Sequence, residues 1–228
     1  MTDTAKKIKA YKELFEIAQE GGFDGYTPGG WSAFCLDPIR EIKKDRLCAL
    51  NETLYNLATR EIPNTIRHPY SVNSIEEERH GIQLTLDAGA DPNYSHQYIF
   101  YYTPDSVFDM FIRNRKYHGA LEVAKTEGFF GPQGQKAFNI LEEDLRFYRY
   151  WGRPYPGETK SESALYALKC KDQKELVYTL FSKGIYPYDL HIRQELQPIF
   201  EEEQKKKTQS AHKKTSTQIG KIQQGGRK

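Results

Sequence analysis

"LDAGADPN", Leu86 to Asn93, ends one element and starts a sharp turn. Gly89 supplies a residue that tolerates positive φ, and Asp-Pro-Asn is the chemistry of a tight turn. The fold depends on whether this is an isolated helix stop or one tooth of a repeating pattern. Upstream, Ser74 and Glu77 have capping-box spacing, which predicts a helix from Ser74 to Asp87 that Gly89 terminates.

The same punctuation recurs along the chain. Ile8, Tyr11, Leu14, Phe15 and Ala18 recur at helical spacing, predicting a helix from Thr4 to Gln19 that Gly21-Gly22 ends. After "GGFDGYTPGGW", Asp37-Pro38 marks the start of a helix through Lys44. A helix from Cys48 to Glu61 follows, with Leu50, Leu54, Leu57 and Ala58 on one face, and Pro63 stops it. Thr103-Pro104 reads as N-cap and first helical position of the next helix, and its partner runs from Tyr117 to Glu127, before Gly128. A longer helix is predicted over Gln133–Tyr150, then a pair over Ser161–Lys171 and Gln173–Lys183, stopped by Gly184. The short "YIFYY", Tyr98 to Tyr102, is the one candidate strand. The expected fold class is all-α, built from short antiparallel helix pairs, a pattern that calls for a search for repeats.

"SALYALKCKDQKELVYTLFSKG", Ser163 to Gly184, resembles the ankyrin repeat: Ser163 takes the place of the family's Thr, Leu165 of its Leu and Tyr166 of its His. Glu175-Leu176-Val177 and Leu180-Phe181 match the inner face of its second helix. Gly89-Ala90-Asp91-Pro92-Asn93 matches the helix stop and finger start of the same family, with Thr53-Leu54 as its upstream partner. The spans are 36 positions from Thr53 to Gly89, 25 from Thr103 to Gly128 and 21 from Ser163 to Gly184, so the units are uneven. Phe108 and Leu168 stand where the family has small residues, and the His of its T-P-L-H motif is missing. The resemblance implies an ankyrin-like solenoid: a helical cap over 1–50, repeats over 51–200 and a tail over 201–228.

It also implies non-catalytic recognition of another protein by fingers and a concave face. Isolated, irregular arrays of this kind resemble bacterial effectors delivered into a host cell, so the expected location is cytoplasmic or, by a signal-independent route, a host cell. The expected contact residues on the finger "DPNYSHQYIFYYTP" are Tyr94, His96, Tyr98, Tyr101 and Tyr102, rigid amphipathic groups of the kind that anchor interfaces. Packing against the neighbouring unit would take up about half of that set. A second mixed aromatic and cationic cluster, "RFYRYWGRPYPGE", offers Arg146, Tyr150, Trp151 and Arg153.

Composition narrows the classes. Hydrophobic residues are 38% and the mean hydropathy is −0.77, with 16 Tyr and 12 Phe supplying large amphipathic rings. No apolar run reaches about 18 residues, so no transmembrane segment is expected, and the charged start "MTDTAKKIKAYKELF" is unlike a secretory signal. The three cysteines, Cys35, Cys48 and Cys170, have no C-x-x-C spacing and read as reduced core thiols. The six histidines, His68, His80, His96, His118, His191 and His212, show no ligand spacing, and P-loop, dinucleotide, zinc-protease and nucleophile-elbow signatures are missing. No cofactor or metal is expected.

Of the 33 basic residues, eight lie from Gln204 to Lys228, where no acidic residue stands; the other 203 residues carry 25 basic against 31 acidic. The tail is predicted to be disordered beyond Lys207 because it has almost nothing to bury. Its Lys205, Lys206, Lys207, Lys213 and Lys214 give the alternative function, binding a nucleic acid or an anionic surface electrostatically. An inert solvated tail, or an address resembling the export signals of type IV secretion substrates, are the other readings.

Overall fold

The computed structural model describes residues 3–19, 43–59, 72–95, 106–132, 135–151 and 160–225. They form eight helices: α1 (Asp3–Gln19), α2 (Lys43–Thr59), α3 (Val72–Asp87), α4 (Val107–Arg113), α5 (Tyr117–Lys125), α6 (Lys136–Trp151), α7 (Lys160–Ser182) and α8 (Leu190–Gly225). Among the described residues there is no strand, and the sole β-type pairing is an antiparallel bridge between Ser95 and Ser106. The candidate strand Tyr98–Tyr102 lies outside the described residues.

The helices pack in two rows. One row is α1, α3, α5, α7, α8, each touching the next; the other is α2, α4, α6. Between the rows α2 pairs with α3, α4 with α5 and α6 with α7, while α8 also touches α6. The innermost position belongs to α5, in which Tyr117 through Ala124 are all buried. Its sequence explains this: Ala120, Leu121, Val123 and Ala124 leave little polar surface to expose, and Gly119 allows a close approach. A Cβ on Gly119 would stand 2.4 Å from the Phe111 ring of α4, so this glycine fixes the α4–α5 separation. The large Phe108 is accommodated elsewhere, tilted on Phe129 with ring centroids 4.9 Å apart.

The end helices bury one narrow face each. In α1 it is Ala10 and Leu14, and Lys6–Asp87 (2.8 Å) and His80–Glu13 (3.3 Å) tie that helix to α3. In α8 it is Ile192 and Leu196, and Phe200 stacks on Tyr178 of α7 at 5.6 Å. Asp189 caps α8, its Oδ1 accepting from the amides of His191 (2.8 Å) and Ile192 (3.4 Å).

Several boundaries differ from the sequence expectation. The separate helices predicted on either side of residues 45–47 meet in one unbroken α2; residues 37–42 lie outside the described set. Ser74 is inside the first turn of α3, which begins at Val72. Ser106, not Thr103, caps α4: its Oγ accepts from Asp109 N at 3.1 Å, and Thr103 and Pro104 lie outside the described residues. The helix pair expected over Ser161–Lys183 is the single 23-residue α7. No Gly or Pro interrupts that stretch, and Asp172 is held in register by Arg79 of α3, so nothing turns the chain there.

The tail expected to be disordered is helical through Gly225, continuous with the packed start of α8. The packed half of α8 has already met the cost of nucleation, so extension adds one hydrogen bond per residue. Lys206 adds ion pairs to Glu202 (2.6 Å) and Glu203 (2.8 Å), which push its ammonium up to about 12. Helix α2 crosses residue 50 and α8 crosses residue 200, so neither expected domain edge falls between helices.

Candidate functional site

The C-terminal turns of α3, α5 and α7 end alike, with Gly89 (φ 111°), Gly128 (φ 80°) and Gly184 (φ 75°) in the left-handed region. That conformation lets Gly89 N donate to Leu86 O and Gly184 N to Phe181 O, consuming carbonyls a helix end leaves open. Successive turns are stitched together. Asn93 donates its amide to Gly128 O (2.7 Å) and accepts from Phe130 N (3.0 Å), while Lys183 donates to Thr126 O (2.8 Å). Asp91 is a turn former: its Oδ1 accepts from Asn93 N at 2.9 Å, and its own amide donates to Asn51 of α2 at 2.8 Å.

This edge carries two open grooves. One, of about 980 Å³, runs between α1 and the ends of α3 and α5, with Lys6, Lys7, Lys125, Asp87, Asp91 and Glu127 among its walls. The other, of about 440 Å³, lies at the ends of α5 and α7 and is walled by Phe130, Pro132, Tyr186, Tyr188, Leu190 and Arg193. Phe130 is 83% exposed, Tyr188 92% and Leu190 70%, so three large apolar side chains face solvent around one depression. They sit on fixed supports. Tyr188 N donates to Gln135 Oε1 at 2.8 Å, and Tyr186 is held edge-on by Phe181 (5.0 Å) with the Arg193 guanidinium 4.2 Å above its ring.

A third groove, of about 310 Å³ between α6, α7 and α8, has Leu145, Leu196 and Ile199 with Arg146, Cys170 and Glu195 in its walls. Burial raises the Cys170 thiol above its ordinary value, more than the Tyr166 hydrogen bond lowers it, so the thiol is held protonated. Among the described residues no group of three His, Cys, Asp or Glu side chains is arranged to hold a metal.

A small cluster of titratable groups is buried inside the molecule. Lys116, 1% exposed, donates to Leu57 O (2.7 Å) at the C-terminus of α2 and to Glu78 Oε1 (2.6 Å) of α3. His118 Nε2 lies 2.8 Å from Glu78 Oε2. Burial alone would raise the Glu78 carboxyl, but the His118 hydrogen bond and the Lys116 charge outweigh it and lower its pKa from 4.5 to about 2. Beside this cluster Arg79 reaches Asp172 of α7 (2.8 and 3.0 Å) and Glu122 of α5 (3.3 Å), and Tyr117 donates to Asp144 of α6, which also pairs with Arg115 (3.0 Å). Glu78, Lys116 and His118 form no wall of the three grooves, and the contacts they make join helix to helix. Their arrangement fixes helix register.

The residues singled out in the sequence are dispersed. Tyr94 is half-buried at the base of the finger; its hydroxyl donates to Glu52 and its ring meets Tyr55 edge-on at 6.4 Å. It anchors the finger to α2. His96, Tyr98, Tyr101 and Tyr102 lie outside the described residues. Arg146 pairs with Glu142 within α6 and ties α6 to α8 through His191 (2.7 Å) and Glu195 (3.7 Å). Tyr150 and Trp151 close α6, with side chains outside the described set, and Arg153 lies outside it too. Lys205, Lys206 and Lys207 are exposed on α8; Lys213 and Lys214 continue the same helix. The sequence reading missed Phe130, Tyr186, Tyr188 and Leu190. The signal was available: "GFFGP" and "GIYPYDL" each place aromatics within four residues after a helix-stopping glycine.

No protein-family model matches this chain, and no solved structure matches it. A stretch of 107 residues is 31% identical to the "Large structural protein" of Australian bat lyssavirus (isolate Human/AUS/1998), covering 43% of this chain and 4% of that protein. So small a share of that protein carries no function across.

Proposed function

We propose that this chain is a protein-interaction module, an ankyrin-like array of three helix pairs whose turn edge receives another protein. The pairs are α2/α3, α4/α5 and α6/α7, with α1 and α8 as end caps. The observation that carries the reading is the cluster of Phe130, Tyr188 and Leu190, exposed around one groove on a hydrogen-bonded turn scaffold. Exposed rings on rigid supports lose little entropy on binding and exclude water over a large area, the usual character of interface anchors. The groove between α1, α3 and α5, with charges of both signs, extends the surface and would give a partner its orientation. Ser95 and Ser106, which flank the finger segment in sequence, form a bridge, so Tyr98, Tyr101 and Tyr102 belong to the same proposal.

The test compares affinity capture by the wild type, by Phe130→Ser/Tyr188→Ser and by Tyr98→Ala/Tyr101→Ala, with captured proteins quantified by mass spectrometry. Loss of one and the same partner in the first variant supports the turn-edge surface. Removing two anchors that a partner would cover, at about 2 kcal/mol each, corresponds to an affinity loss on the order of 1000-fold. Equal capture by all three proteins would sink the reading.

A further inference from the structure

The second half of α8 is the most basic stretch of the chain. We propose that it binds duplex nucleic acid through the phosphates, independently of base sequence. From Gln204 to Ala211 every residue of α8 is exposed, and from Gln204 onward the chain has no acidic residue. Eighteen residues of helix follow Lys207, a rod about 27 Å long. At 100° per residue, helical positions 206, 213, 214 and 221, all Lys, fall within an arc of about 100°, with Lys205 and Lys207 to either side of it. The last turns of the packed segment keep their own charges in balance, because Glu202 and Glu203 pair with Lys206. Beyond them Lys213, Lys214 and Lys221 have no carboxylate on their own stretch of helix.

The composition of that stretch selects the partner. Ile219 and Ile222 are its only large apolar residues, so it lacks the apolar face with which a helix settles into a lipid interface. Besides its lysines, its polar residues are Ser, Thr, Gln and His212, all able to donate to phosphate oxygens, and a helix about 10–12 Å across fits a major groove about 12 Å wide. With neither Arg nor Asn between Gln204 and Gly225, the pairings that read bases most directly are reduced to Lys and Gln, so binding is dominated by counterion release.

The experiment is fluorescence anisotropy of a labelled 20-base-pair DNA duplex titrated with the full chain between 50 and 200 mM NaCl. Three phosphate contacts, from Lys213, Lys214 and Lys221, predict a log–log salt slope of about −2.7 and an affinity loss of about 40-fold across that range. Lys213→Gln/Lys214→Gln/Lys221→Gln should abolish most of that slope and weaken binding at 50 mM tens-fold, and the corresponding triple Arg variant should retain both. Phe130→Ser/Tyr188→Ser should bind the duplex like wild type, which separates this proposal from the turn-edge one. No duplex binding at 50 mM, or binding that the Gln variant leaves unchanged, overturns it. So does capture by phosphatidylserine vesicles in place of the duplex, which would make the stripe a membrane contact.

Discussion

Replacing Glu78 by Gln is the most informative perturbation of the interior. The side chain is 10% exposed and accepts from Lys116 at 2.6 Å while facing His118 at 2.8 Å. Its pKa falls from 4.5 to about 2, roughly 2.5 units, which corresponds to about 3 kcal/mol favouring the ionised folded form. Because the folded pKa is depressed, this stabilisation is fully present above about pH 4.5 and is lost as pH falls toward about 2. Glu78→Gln keeps the volume but leaves the ammonium of Lys116, 1% exposed, facing a neutral amide. The expected cost at pH 7 is about 3 kcal/mol, near the range for breaking a buried pair, and a melting-temperature drop of about 6–12 °C for a chain of this size. Thermal unfolding followed by circular dichroism between pH 2 and 7 measures it. Wild type and variant should converge toward pH 2, because protonated Glu78 no longer differs in charge from Gln. Adding Lys116→Met should recover part of the loss, since the buried cation is then gone. A gap under 0.5 kcal/mol at pH 7, or one of constant size down to pH 2, would refute this account of the Glu78–Lys116–His118 cluster.

Other expectations follow from single contacts. Gly119→Ala drives a methyl to within 2.4 Å of Phe111, so α4 and α5 must separate; a loss of about 1–3 kcal/mol in urea unfolding is expected, and none would place the helices further apart than described. Gly128→Ala meets no atom within 4 Å but must adopt φ 80°, so its cost is about 1 kcal/mol from backbone strain alone, and Gly128→Asn should cost less. Arg79→Met leaves Asp172, 3% exposed, without its bidentate partner across α3 and α7; a destabilisation of about 3–5 kcal/mol in the same assay is expected. Phe130→Ser and Tyr188→Ser, at 83% and 92% exposure, should change stability by less than about 0.5 kcal/mol, which makes them clean probes of binding.

The parts of the fold that were legible in the chain were those set by local chemistry. Gly89, Gly128 and Gly184 were read as helix stops because a left-handed residue is required there, and all three have positive φ. The core face of α2 (Leu50, Leu54, Leu57) follows from helical spacing, Leu176, Val177 and Leu180 of α7 from the repeat resemblance, and all six are buried. Helix α8 was missed although Asp189 with Ile192, Leu196 and Ile199 is a cap followed by a helical stripe; the long polar continuation masked it. The site was less legible. Tyr94 was read as a contact residue because a projecting aromatic and a supporting one have the same letter, and only the position of Glu52 and Tyr55 separates them.

By itself, then, the sequence determined the all-α class, the helix-ending turns and the charge division between body and tail, since each is decided within about one helical turn of chain. Which helix pairs with which was decided by tertiary packing. The span Ser163–Gly184 reads as a complete repeat, yet α7 stays unbroken and packs most extensively against α5 and α8. The reason lies in contacts 93 residues apart in sequence: Arg79 of α3 holds Asp172 at the point where a turn was expected, and no local residue breaks the helix there. Long-range burial and ion pairing set the register that local propensity left open.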